Sequence, residues 1–165
     1  MLIFLDTEFT DFIDCELISI GMVSEDGQHE FYAERTDYNK GICSDFVLEA
    51  VAPHLGKSSG AACTREELTQ RLWQWFASLP GKVQIATESA HDRDLLWDAL
   101  SEGLPENLDS SVYDLRPLLD EAAFNEAVFN YHKESEHPWH HALHDAKAHR
   151  AGWAAKMKGH SAPEQ

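Results

Sequence analysis

The chain is short of positive charge. It carries 13 lysines and arginines against 29 aspartates and glutamates, a formal net charge of −16. Long nucleic acids are gripped mainly through Lys and Arg at phosphates, so an extended basic groove is excluded. Long apolar runs are also missing. None approaches the ~18 residues of a membrane span, and no membrane partner is expected. The opening nine residues meet acid at Asp6 and lack a basic segment and a small-residue cleavage site, so no signal peptide is expected. The three cysteines, Cys15, Cys43 and Cys63, are odd in number and widely spaced, without a CxxC pair. That argues against a disulfide framework or a zinc site and suits reduced thiols in a cytoplasm. Repeats, low-complexity tracts and internal linkers are absent as well. A length of 165 residues with 43% hydrophobic content fits one domain over 1–158, with 159–165 as a mobile tail.

What is present reads as an α/β layer. Residues 2–6 are an apolar run ending in acid, a buried strand. Residues 16–24 form a second strand, rich in Ile, Leu and Val. Glu25-Asp26-Gly27 is a tight-hairpin signal, and 29–33 a third strand, giving an antiparallel meander. Residues 44–52 suit a short helix. Thr64 and Glu67 have capping-box spacing, and Leu68, Leu72, Trp75, Phe76 and Leu79 share a helical face before Pro80-Gly81. A strand over 83–87, a helix over 92–102, a strand over 112–115, helical segments to about Phe129 and a last helix over 141–156 complete the order. The expectation is a mixed five-stranded sheet flanked by helices.

Asp6 and Glu8 stand at i and i+2 after the first strand, on one face, where open α/β sheets place their sites. Two carboxylates this close repel unless a cation lies between them, and hard oxygen ligands select Mg²⁺ or Mn²⁺. The same tripeptide also suits a solvated turn. Asp92 falls at the start of a helix, where an N-cap explains it equally well; Asp94 competes with it. Asp145 lies near the start of the last helix among histidines. His140 converges with it only from a loop, which Pro138 favours, whereas His141 is its i, i+4 neighbour. His144 and His149 are expected on a solvated face. Bound cations would reverse the local sign of this acidic chain, and a short substrate end needs few phosphate contacts.

Together these segments resemble the DEDDh exonucleases, with Asp6-Thr7-Glu8, Asp92, and His140 with Asp145 matching that family's motifs in order. Within it the likeness is to the ribonuclease AS-type exoribonucleases. It lies in Asp6-Thr-Glu-Phe9, Glu16-Leu-Ile-Ser-Ile-Gly21, Ala90-His-Asp92 and His140-x-Ala-Leu-x-Asp145-Ala, and covers roughly residues 1–155. The Phe9-Thr10-Asp11 step departs from the Thr-Gly of most DEDDh enzymes. The resemblance implies an RNase H-like fold and a two-metal 3′→5′ exoribonuclease that releases nucleoside 5′-monophosphates. Asp6, Glu8, Asp92 and Asp145 would hold two Mg²⁺ or Mn²⁺ ions, with His140 as general base. It chooses His140 over His141 and Asp92 over Asp94, choices that spacing leaves open. It also implies a single-stranded RNA 3′ end as substrate, adenylate-rich in preference, and a homodimer. Phe9 and Trp139 are candidate stacking residues for a base, with Ile18 and Ser19 lining the cleft by analogy. Arg150 suits a phosphate contact or, more simply, a salt bridge. Trp73, Trp75, Trp97 and Trp153 suit helix packing. Three other readings stay open: a phosphodiesterase for very short oligonucleotides, a DNA exonuclease or RNase H-type endonuclease, and an idle binding module.

Overall fold

The computed structural model describes residues 1–160, with side chains through 158. The first three strands form the expected meander. β1 (Leu2–Phe9) pairs antiparallel with β2 (Leu17–Ser24), and β2 antiparallel with β3 (Glu30–Arg35). Gly27 closes the β2–β3 hairpin at φ 74°, with its N–H bonded to the Ser24 carbonyl. β5 (Val83–Thr87) then adds parallel to β1, and β6 (Leu108–Asp114) parallel to β5. β1 is thus flanked on both sides, which buries its apolar run.

The sheet has six strands rather than five, in the order β4-β3-β2-β1-β5-β6. The extra one, β4, is only Ala62–Cys63 at the edge beside β3. Two residues carry no periodicity, so no sequence pattern announces them. β6 also begins earlier than expected. Its first half, Asp109-Ser110-Ser111, is exposed, as an edge strand permits, and lacks the alternation that marks a half-buried strand.

Helices cover both faces. α1 (Arg65–Ser78) has the expected capping box: Thr64 accepts from the Glu67 N–H and Glu67 accepts in return from the Thr64 N–H. Its Leu68, Leu72 and Phe76 pack with Leu95 and Leu96 of α2 (Ala90–Leu100) against Ile3 and Leu5 of β1. Each such side chain contributes about 1.5–3 kcal/mol when buried. On the opposite face lie α3 (Ala122–His132) and α4 (Ala142–His160), where Phe4 meets Ala146 and Trp153. Gly21 lets α4 approach: a Cβ there would collide with the backbone of Ala142 and Leu143. The helix expected over 44–52 runs on to His54 and contains a π-helical turn, Val47–Val51. Of the tail expected over 159–165, Gly159 and His160 continue α4, and the rest falls outside the described residues. Among the described residues no helix is long and apolar enough to cross a membrane.

Candidate active site

Strand alternation sorts the residues of β1. Ile3 and Leu5 face α1 and α2, while Phe4 faces α4. Asp6 and Glu8 continue the Phe4 side, opposite Gly21 and Ser19 of β2. Thr7 takes the other side. The pairing register slips between Glu8 and Phe9, a bulge of the kind that re-aims side chains at strand ends.

Asp145 reaches this end from the first turn of α4. Its Oδ2 accepts from the His141 backbone N–H at 3.1 Å, a bond that also suits an anion at a helix N-terminus. His140 precedes the helix and has φ 60°. That left-handed conformation is uncommon for residues other than glycine, and it separates His140 from His141. Glu8, His140 and Asp145 each offer a ligand atom, all within 4.8 Å of one another, a grouping that can hold a metal ion. His141 points elsewhere. It is buried and stacks on Tyr32 with centroids 4.4 Å apart.

Asp92 is buried on the α2 side. Thr7 Oγ1 donates to its Oδ1 at 2.7 Å and Thr87 Oγ1 to its Oδ2 at 2.9 Å. It is not the N-cap of α2; Ser89 is, accepting from the His91 N–H. Asp94 is exposed and paired with Arg93. Glu88, just beyond β5, adds a carboxylate that the sequence did not single out. It lies 3.5 Å from His149 Nε2.

Charge and burial leave these acids frustrated. Burial first, then the charges of Asp92, Asp145, Glu8 and Glu88, hold the Asp6 carboxyl well above its ordinary value. Burial and the charges of Asp145 and Asp92 push Glu8 up to about 8. Burial raises Asp92 to about 6 against the opposing pull of its two threonine bonds. Crowded hard oxygen donors with unmet negative charge fit a divalent cation of the Mg²⁺ or Mn²⁺ kind. The ligand atoms that converge are those of Glu8, His140 and Asp145, with Asp6 two residues before Glu8 on β1 and Asp92 buried at the start of α2.

The surroundings correct several expectations. Ile18 is fully buried with Val47 and Val51, and Ser19 is 1% exposed. β2 is covered on both faces, so neither side chain lines an open cleft. Phe9 is partly exposed and stacks on His91 with centroids 5.6 Å apart, beside the exposed Phe12. Phe46 from the π-helical segment meets His140 edge-on at 4.9 Å. A cleft of about 80 Å³ lies between Glu8, Phe12 and Phe46. Trp139 is 42% exposed and stacks on His132. His144 and His149 are packed rather than solvated: His144 bonds Tyr131 Oη at 3.0 Å, and His149 faces Glu88. Arg150 donates to the Glu25 carbonyl and braces the β2–β3 hairpin. Trp73 and Trp75 donate to backbone carbonyls of Leu100 and Glu30, as packing residues do.

No protein-family model and no curated protein matches the chain. Among solved structures, the crystal structure of cell-death related nuclease 4 is similar, with a TM-score of 0.63 over 97% of this chain at 14% identity. The chain spans 64% of that protein's length. The likeness and the six-stranded mixed sheet between helix layers define an RNase H-like α/β fold.

Proposed function

We propose that the chain is a metal-dependent 3′→5′ exoribonuclease, a single exonuclease domain over residues 1–158 that releases nucleoside 5′-monophosphates. The observation that carries this is the convergence of Glu8, His140 and Asp145 within 4.8 Å at the end of β1, beside the charge-crowded Asp6. The nuclease identity of the similar structure and the DEDDh motif order support it.

Asp6, Glu8, Asp92 and Asp145 would hold two Mg²⁺ or Mn²⁺ ions. When bound, the ions supply Lewis-acid stabilisation of charge on the phosphate. His140 accepts a proton from the attacking water. The water oxygen bonds to phosphorus, the bond to the 3′ oxygen breaks, that oxygen takes a proton from solvent to leave as a hydroxyl, and His140 returns its own proton to solvent. Phe9, Phe12 and Phe46 offer ring faces to the terminal base, with Trp139 further out. The substrate is a single-stranded RNA 3′ end, adenylate-rich by the ribonuclease AS resemblance. The same resemblance supports a homodimer, and the three free thiols suit a cytoplasmic setting.

A second reading, a phosphodiesterase for very short oligonucleotides, is favoured by the net charge of −16, which disfavours a long polyanion. One experiment addresses both. RNA and DNA of several lengths, 5′-labelled, are incubated with Mn²⁺. Stepwise shortening of RNA supports the first reading, and turnover confined to the shortest oligomers supports the second. Full activity in excess EDTA, or cleavage of circular RNA, overturns both.

A further inference from the structure

We propose that His132 is a positioning residue for the metal centre, fixing Asp145 and the loop that carries His140 in one arrangement; this rests on the metal-dependent reading above. His132 ends α3, outside every motif that the sequence suggests. Its side chain is 1% exposed. Nδ1 lies 2.9 Å from the His137 carbonyl oxygen. A carbonyl only accepts, so Nδ1 donates there. Nε2 lies 3.2 Å from Asp145 Oδ1, off the line of a straight hydrogen bond, and the contact attracts the carboxylate when both ring nitrogens carry protons. The ring face stacks on Trp139 with centroids 3.8 Å apart and planes 22° from parallel.

One ring therefore touches the loop at His137 and Trp139, and the carboxylate at Asp145. His140 sits inside that span. Its neighbour His141 supplies the N–H for the other oxygen of Asp145. The two contacts hold the carboxylate from both sides. An ionised carboxylate has about four lone-pair sites, so room remains for a cation. Packing alone does not account for an imidazole here. A phenyl ring would fill the same volume and stack on Trp139, whereas burying two ring nitrogens is costly unless each meets a partner. Groups that orient a metal's carboxylate ligands typically change metal affinity about 10–100-fold when removed.

The test compares Mn²⁺ binding by calorimetry in the full chain, His132→Phe and His132→Gln, with melting in EDTA as the check on folding. Phenylalanine keeps the stack and loses both polar contacts; glutamine restores a donor at the position of Nε2. The expected result is Mn²⁺ affinity about 10–100-fold weaker in His132→Phe and close to wild type in His132→Gln. Equal affinity in wild type and His132→Phe overturns the proposal, as does equal loss in both variants. A wild-type protein that binds no Mn²⁺ overturns the metal-dependent reading as well, which separates the two failures. A second measurement needs no variant, should His132→Phe not fold. The ring ¹⁵N signals of His132 are expected to shift with the same midpoint as Mg²⁺ binding, and signals that stay fixed as Mg²⁺ binds overturn the proposal.

Discussion

Thr7 Oγ1 and Asp92 Oδ1 are joined by a buried 2.7 Å hydrogen bond between β1 and α2. The bond ties the acid on the helix side to the strand whose other face carries Asp6 and Glu8. Thr7→Val keeps the shape and removes the donor. Asp92 then loses one of the two side-chain bonds that oppose its burial, and a buried acceptor left unpaired costs about 1–3 kcal/mol. For a domain of this size ~1 kcal/mol corresponds to about 2–4 °C in Tm. The expected result is a Tm lower by several degrees and a rising limb of the pH–activity curve moved to higher pH. Thr7→Ser restores both. Wild-type melting and pH profile in Thr7→Val would show that the bond has no part in the site.

The pH dependence of stability in EDTA follows from the raised carboxyls and lowered imidazoles. Glu8 rises from 4.5 to about 8 on folding, so between those values the folded state binds more protons than the unfolded. Stability then falls as pH rises through that window. His144 is lowered from 6.5 to about 4 by burial and neighbouring cationic groups, so the unfolded state binds more protons there, and stability rises with pH up to about 6.5. The two oppose each other below 6.5, and Glu8 acts without that opposition above it. Calorimetric Tm in EDTA should therefore decline from about pH 6.5 to 8. Saturating Mn²⁺ should raise Tm, and by more at pH 8 than at 6.5, because the cation replaces the proton that Glu8 otherwise holds. A Tm in EDTA that climbs over this range contradicts the assignment.

Gly21 is the seat of α4 on the sheet, since a Cβ there would collide with the Ala142–Leu143 backbone. Gly21→Ala must lift the first turn of α4, and with it His140 and Asp145. Because overpacking typically costs about 1–3 kcal/mol, the protein should remain folded with a Tm lower by several degrees. Mn²⁺ affinity should fall together with turnover. Gly56→Ala is the control for destabilisation without a collision: Gly56 has φ 75° and open space around it, so its substitution should lower Tm through backbone strain without changing Mn²⁺ affinity.

Much of this arrangement was legible in the chain, for identifiable reasons. The β1–β3 meander followed from apolar runs and an Asp-Gly turn, and α1 from its capping box and one-sided leucines. Asp6 and Glu8 share a face because strands alternate with period two. The threonines that hold Asp92 were not legible, because Thr7 and Thr87 are unremarkable strand residues until β1 and β5 lie side by side. His132 was hidden for the same reason: its contact at Asp145 is 13 positions away in sequence and depends on how α3 meets α4. Gly21 did carry a signal, since a glycine within an apolar strand often marks a close approach. Likeness alone suggests Ile18 for a cleft, whereas β2 is buried along its whole length and Ile18 packs on Val47 and Val51, a contact that depends on where the segment after β3 folds.

His140 and His141 are adjacent but their side chains do different work, and the left-handed backbone at His140 makes a prediction that separates them. Asparagine tolerates that conformation better than other non-glycine residues, so His140→Asn should leave Tm unchanged or slightly higher. It removes the proposed proton acceptor, so turnover should fall about 10²–10⁴-fold. His141→Phe is the opposite case. It keeps a ring on Tyr32 and leaves intact the backbone N–H that Asp145 accepts from. Turnover should stay within a few-fold of wild type, since no step at the phosphate passes through that side chain. Circular dichroism melting and single-turnover cleavage of 5′-labelled RNA measure both effects. If His141→Phe loses turnover while His140→Asn keeps it, the base has been assigned to the wrong imidazole. The strain at φ 60° would then have to serve the loop rather than the reaction.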